Sequence, residues 1–339
     1  MANKLSQAGL IKAHAEQVAD VLVYADIRGI HSHGAMRTEY YAERIVKGGM
    51  NTNPNFRFEK TGPVTGIFHG DNGSGHVAAG AAMQEAIALA SESGVAVVGV
   101  SRMSHSGALA YFTEQAAASG LVAVSMCQSD PMVVPFGGAE VYYGTNPIAF
   151  AAPGVGDTML SFDMATTVQA WGKILDARSR DKPIPEDWAV DDQGRPTTDP
   201  HEVAALLPVA GPKGYGLGMM VDVLSGVLLG LPFGKHVTSM YRDMRKGRDL
   251  GQLHIVIDPR MFTDPEEFRQ NISTTQRELN AIRPAPGFDR VLTPGQDKDG
   301  VRAEYAAEGI DLADSVYEYL KSDVVNRDTY EEVARSGGE

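Results

Sequence analysis

Apolar residues recur at helical spacing from near the start of the chain. Ile11, Ala15, Val18, Leu22 and Ala25 fall on one face of a 3.6-residue repeat, and Gly29 stands where such a helix would close. A second helix is predicted over residues 35–46, stopped by Gly48-Gly49. The pattern then shortens to β-rich runs at residues 64–68, 95–100, 121–127, 147–152 and 159–164, with helical patterns at 77–91, 108–118 and 166–177 between them. This interleaving predicts an α/β centre. Further on, 253–257 reads as a strand, and 265–282 and 312–319 read as helices. Residues 178–200 are polar, carry the turn Asp191-Asp192-Gln193-Gly194 and read as a surface excursion. The helix predicted over 214–229 is apolar on nearly every face, which points to burial in a core or an interface. The tail Ser336-Gly337-Gly338-Glu339 is expected to be mobile, and no internal repeat is present.

Composition narrows the class. The chain has 339 residues, above the roughly 250–300 at which one core stops growing, so a large domain plus a smaller one is expected. A formal charge of −13 with no basic block argues against nucleic acid and anionic membrane surfaces. The single cysteine, Cys127, lies in an apolar run, which excludes an internal disulfide and a cysteine-based metal site. Residues 1–6 show no signal-peptide pattern, and the longest apolar segment, 217–231, is too interrupted to span a bilayer, so a cytoplasmic location is expected. Glycine is the unusual count, at 37, and implies many tight turns or close backbone approaches.

Several segments carry candidate chemistry. Gly73-Ser74-Gly75-His76-Val77-Ala78 matches the G-x-G-x-x-A dinucleotide pattern. Its first glycine is not at the strand tip, and Ser101-Arg102 stands where an acid should hold the ribose, so a glycine turn capping a helix is the preferred reading. His105 follows a strand and precedes a helix, whose dipole would keep the ring neutral and ready to accept a proton. His33 sits similarly in His31-Ser32-His33-Gly34, and for either histidine viewed alone a capping or structural role is the preferred reading. The H-x-H spacing lacks acidic ligands, so no metal is expected. Arg37, Tyr41 and Arg44 share one helical stripe, where a guanidinium would clamp a carboxylate unless the stripe is a solvated face. Lys213, among glycines at a helix start, suits a phosphate or carboxylate, or is a loop lysine. Asp163 ends a strand, where it would hold ribose hydroxyls or cap the next helix.

Taken in chain order, Asp26-Ile27-Arg28-Gly29-Ile30-His31-Ser32-His33-Gly34, Ser104-His105-Ser106-Gly107, Gly144-Thr145-Asn146-Pro147, Phe162-Asp163-Met164-Ala165-Thr166 and Gly211-Pro212-Lys213-Gly214-Tyr215-Gly216 resemble the type-2 malate/lactate dehydrogenases. These are nicotinamide-dependent oxidoreductases of 2-hydroxy acids, and the resemblance spans residues 4–323. Residues 126–138, 168–173 and 251–257 draw it toward the branch that oxidises (S)-ureidoglycolate to oxalurate with NAD. Alternatives are another small acid such as malate, lactate or diketogulonate, with NADP in place of NAD, or a nucleotide-binding protein that has lost catalysis.

The resemblance implies an α/β (α+β) fold. A non-Rossmann NAD-binding domain with a largely antiparallel sheet would span 63–289, and a helical domain would combine 1–62 with 290–339. It also implies a homodimer with active sites near the subunit interface. Carried over by motif, His105 would be the catalytic acid/base, with Ser32 and His33 as a competing donor and relay. Ser129, Asp163, Met164, Ala165 and Lys213 would contact NAD, together with Asn271, Ile272 and Ser273. Asn146 would contact substrate, and Arg37 and Tyr41 would recognise its carboxylate or ureido group. Members of the family usually carry a longer helical stretch ahead of the equivalent of Leu5, so the first helix is expected to be short by a turn.

Overall fold

The computed structural model describes residues 1–330. The tail at 336–339 lies outside them. Three helices open the chain: α1 (Ala2–Ala8), α2 (Lys12–Asp26) and α3 (Arg37–Val46). The predicted stripe of α2 is real. Ala15, Val18 and Leu22 pack with Leu5, Leu10, Tyr40, Tyr41 and Ile45 in one apolar cluster. Ile11 stands just outside α2 as its extended N-cap, and Gly29 adopts the left-handed φ of 71° expected of a helix stop.

The strands are β1 (Arg57–Lys60), β2 (Thr65–His69), β3 (Val95–Met103), β4 (Val122–Cys127), β5 (Ile148–Pro153), β6 (Met159–Met164), β7 (Ala189–Val190), β8 (Ala205–Leu206) and β9 (Leu250–Ile257). Seven form one sheet in the order β1-β2-β3-β9-β4-β5-β6. Only β2 and β3 pair in parallel, and α4 (Gly75–Ser93) makes the crossover between them. The sheet is therefore largely antiparallel.

The strand runs are nearly continuously apolar because both sheet faces are covered. Ala96, Val98, Val100, Ala123 and Val256 face α4 and α5 (Ala110–Ala118), where Ala78, Ala79, Ala82 and Ala86 allow close approach. Val97, Val124, Met126, Leu253 and Ile255 point the other way, toward Val221 on α7 (Pro212–Ser225). The period-2 alternation thus splits one run between two cores. Each fully buried valine contributes roughly 1.5–3 kcal/mol relative to exposure.

Two expectations need correction. The helix predicted from 166 starts only at Trp171 (α6, Trp171–Ser179), because Thr166 and Thr167 are held in extended pairing with residues 208–209. The excursion at 178–200 is not wholly on the surface: Ile184 and Ala189 are buried with Ile174, Val203 and Leu206 in a small cluster of their own. The apolar helix α7, expected in a core or an interface, turns Val221 into the core and leaves Leu217, Met219, Met220 and Val223 between 37% and 45% exposed.

The chain closes with α8 (Pro265–Asn280), α9 (Asp297–Glu308) and α10 (Asp314–Lys321). The Asp264 carboxylate caps α8 by accepting from the N–H groups of Glu266 and Glu267. These last helices return to the first ones. Lys4 Nζ donates to Val324 O at 2.7 Å, Glu43 accepts from Tyr330 N at 3.1 Å, and His31 meets Tyr305 of α9 at 3.2 Å. No helix among the described residues is long and apolar enough to cross a membrane.

Candidate active site

The turn carrying Ser32 and His33 is braced by Asp26 at the end of α2. That carboxylate accepts from His31 Nδ1 at 2.9 Å and from Ala35 N at 2.6 Å, and its burial raises its pKa. Gly34 makes the brace possible, because a Cβ there would lie 1.9 Å from Asp26 Oδ1. His33 Nδ1 is 3.0 Å from Ser32 Oγ, and burial followed by the charge of Arg37 lowers the His33 pKa to about 4. Arg37 donates from Nε to Ser32 O at 2.6 Å and from Nη1 to Tyr241 Oη at 2.5 Å. A guanidinium has five N–H donors, so one on Nη1 and both on Nη2 remain, enough for an end-on two-point clamp on a carboxylate.

His105 lies between β3 and α5, on a loop that packs against the start of α4. A Cβ on Gly75 would lie 2.2 Å from Ser104 O. The glycines of the 73–78 segment therefore seat the His105 loop on the helix start, which leaves that start covered by backbone. The His105 ring stacks on His33 at 5.7 Å between centroids, and its Nδ1 is 2.7 Å from Tyr41 Oη. Burial first, then His33, Arg37, His76 and Arg248, hold its pKa well below the ordinary value. The neutral ring expected from a helix dipole is thus produced mainly by burial and neighbouring bases. The start of α5 is instead capped by Asp163, whose Oδ2 accepts from Ala110 N at 3.0 Å.

Asp163 also faces a cleft of about 800 Å³, within the size range of small-molecule and cofactor sites. Burial raises its pKa to about 6. Met164 beside it lines the same cleft, with Tyr24, Arg28, Gln276 and Gln296. The Arg28 guanidinium lies over the Tyr24 ring at 3.6 Å and pairs with Glu114 at 2.9 Å, so the wall offers aromatic, cationic and anionic groups. Asp163 is the physical link between this cleft and the His105 loop.

Other expected site residues fall elsewhere. Asn271, Ile272 and Ser273 do not line the cleft. Ser273 Oγ instead accepts from Val155 N at 2.9 Å, and Gln276, one turn further along α8, reaches the cleft with the 293–299 segment. Asn146 is fully buried, and its side chain accepts from Ser129 N at 3.1 Å and donates to Gly218 O at 2.9 Å. It holds the Ser129 loop against α7. Ser129 Oγ is 3.1 Å from Thr145 Oγ1. Lys213 is exposed in the first turn of α7, outside the cleft wall. A hydrogen bond of 2.9 Å from Val209 N to Thr166 O places the approach to α7 beside the segment that follows Asp163 and Ala165.

Residues with no recognisable motif complete the site. Tyr241 is delivered to Arg37 by the 238–248 segment. That segment is fastened by Arg248 to Asp130 at 2.5 Å and by Tyr40 Oη to Met240 O at 3.1 Å. The Asp130 and Arg248 positions are 118 residues apart, so spacing carries no trace of the pair.

Comparison with known proteins bears on this arrangement. A family model described as malate/L-lactate dehydrogenase matches residues 1–321. The chain is 66% identical over 329 residues to a ureidoglycolate dehydrogenase (NAD(+)) of Escherichia coli O157:H7, covering 97% of this chain and 94% of that one. It is 39% identical to a malate dehydrogenase of Pyrococcus horikoshii, over 86% of this chain and 83% of the relative. Among solved structures, the sulfolactate dehydrogenase of Methanocaldococcus jannaschii superposes with a TM-score of 0.88 at 35% identity, over 94% of this chain and 92% of that one.

Proposed function

Because this chain belongs to the malate/L-lactate dehydrogenase family, we propose that it oxidises (S)-ureidoglycolate to oxalurate with NAD. The observation that carries the chemistry is a neutral His105 with the Arg37 charge opposing its protonation, on a loop and helix start that Asp163 ties to a cofactor-sized cleft. The 66% identity to a protein of that named activity supports the choice of substrate, and the placement in allantoin and purine breakdown follows from that substrate.

The cleft wall fits the cofactor's chemistry. Tyr24 and Met164 offer apolar surface, and Arg28 supplies charge toward a pyrophosphate. Asp163 and Met164 would hold the cofactor there, with Gln276 and Gln296 taking the part expected of 271–273, and Ala165, Ser129 and Lys213, which lie outside the cleft wall, would reach it from the adjoining segments. When bound, NAD supplies the acceptor for the carbinol hydride. His105 Nε2 takes the hydroxyl proton, and His33, stacked on that ring with its Nδ1 3.0 Å from Ser32 Oγ, keeps with Ser32 the part of a second donor pair beside it. Arg37 binds the substrate carboxylate, and Asn146 positions the Ser129 loop rather than touching substrate.

The sheet topology and the covered α4 start support a non-Rossmann mode of cofactor binding, in which 63–289 forms the α/β domain. The contacts of Lys4, His31 and Glu43 with the last helices support a helical domain made of 1–62 and 290–339. The exposed apolar side of α7 is the surface we assign to the homodimer contact. The reading also places the enzyme in the cytoplasm. Identification of oxalurate by mass spectrometry, formed mole for mole with NADH, tests the reaction. NADH formed without oxalurate would replace the substrate with another 2-hydroxy acid.

A further inference from the structure

We propose that Tyr41 is the positioning residue of His105: its phenol oxygen, 2.7 Å from Nδ1, holds the ring and accepts the Nδ1 hydrogen when Nε2 takes up the substrate proton. The inference rests on His105 being the base of the proposed dehydrogenation. A neutral imidazole carries one hydrogen. If Nδ1 is engaged with Tyr41, Nε2 is the nitrogen left to face substrate. Nε2 can accept a proton only when the hydrogen already present sits on Nδ1, so the partner of Nδ1 must be able to accept. A phenol oxygen can do so, whereas a lysine or arginine cannot.

The surroundings of His105 make this acceptor consequential. The titratable and charged groups around the ring are His33 on the 31–33 turn, Arg37 and Tyr41 on α3, His76 on α4 and Arg248 ahead of β9. The two histidines and two arginines all oppose a positive ring. Among these groups, Tyr41 alone brings an oxygen that stabilises the imidazolium. Burial raises the Tyr41 pKa, so the phenol stays neutral and keeps its lone pairs available without contributing a charge.

Packing accounts for the Tyr41 ring but not for its hydroxyl. The ring is 1% exposed and lies edge-on to Tyr40 at 5.3 Å and to His76 at 5.0 Å. A phenylalanine would fill the same space. The hydroxyl is explained by His105, which shifts Tyr41 from the substrate contact expected of the α3 stripe to a residue that acts through the base.

Tyr41→Phe is the test, with the pH dependence of kcat/KM measured for the intact enzyme and the variant on (S)-ureidoglycolate and NAD. We expect kcat to fall about ten- to a hundred-fold, the scale on which outer partners of functional imidazoles act, with KM for the hydroxy acid little changed. The acid limb should also move to lower pH, because removing an acceptor for the imidazolium lowers the His105 pKa. A raised KM with kcat and the acid limb unchanged would return Tyr41 to substrate contact and overturn the proposal. So would a variant indistinguishable from the parent. If Tyr41→Phe fails to fold, 3-fluorotyrosine placed at position 41 keeps the shape and weakens the oxygen as an acceptor. A smaller shift of the limb in the same direction is then expected, and an unmoved limb overturns the assignment. If the parent enzyme turns over only a different 2-hydroxy acid, the substrate reading fails, and the same comparison on that acid still decides the role of Tyr41.

Discussion

At the scale of the residue, the proposed site divides its labour between groups that change protonation and groups that hold charge. His105→Ala should lower kcat roughly 10²–10⁴-fold while NAD binding, followed by quenching of protein fluorescence, persists. Arg37→Ala should act mainly on KM, raising it about ten- to a hundred-fold for loss of a charge-assisted clamp. Equal losses of kcat in both variants would deny that separation. His105, His33 and Arg37 each read alone as a capping, structural or surface residue, and stood out in the sequence only through the motifs taken in chain order; the structure brings the three together. Tyr241 was not legible, because it reaches Arg37 through a segment fastened by Arg248 to Asp130, and that fastening exists only once the chain is folded. Asn146 has a recognisable motif, and what its spacing did not show is that its amide joins the Ser129 loop to α7.

At the scale of the element, local pattern predicted the strands well where both faces are buried. The boundaries of the central strand β4 differ from the apolar run at 121–127 by one residue, and those of β6, a half-buried edge strand, agree with the run at 159–164. β1 was missed because its sequence, Arg57-Phe58-Glu59-Lys60, lies largely exposed at the sheet edge and carries a single apolar residue. α9 was missed for a related reason: none of its residues is buried, so it has no strong apolar face to read. The 27–35 turn shows an element specified by one close approach. Gly34→Ala should destabilise the protein by roughly 2–4 kcal/mol and reduce activity, because a methyl group would collide with the Asp26 carboxylate. Urea denaturation and turnover measured side by side test this. A variant with parental stability would show that the turn has room the geometry denies.

At the scale of the whole molecule, the buried histidines make stability depend on pH. Burial lowers His33 and His254 to about 4 and His76 to about 3, and His105 is also held well below its ordinary value. In the unfolded chain these rings take up protons below about pH 6.5, whereas the native rings do not. Their contribution is whole above that pH and is lost as the pH falls toward 4. Asp163 works in the opposite sense. Its native pKa of about 6 exceeds the ordinary carboxylate value, so it favours the folded state as pH falls through the same window. Burial raises the Asp26 and Asp222 carboxyls in the same sense as Asp163, but the four large histidine shifts outweigh these three, and the urea midpoint should be lower at about pH 5 than at about pH 7.5. An equal or higher midpoint at the lower pH would contradict this account of the buried site.

The same scale holds the functional claim: a neutral base, a carboxylate clamp and a cofactor cleft joined through Asp163 into one dehydrogenase site. The measurement that tests it most directly is NADH formation followed by near-ultraviolet absorbance, with kcat/KM compared for (S)-ureidoglycolate, malate, lactate and sulfolactate. The account predicts NAD-dependent turnover with ureidoglycolate strongly preferred. Comparable or higher kcat/KM for another of these acids, or no NAD reduction with any of them, would contradict it.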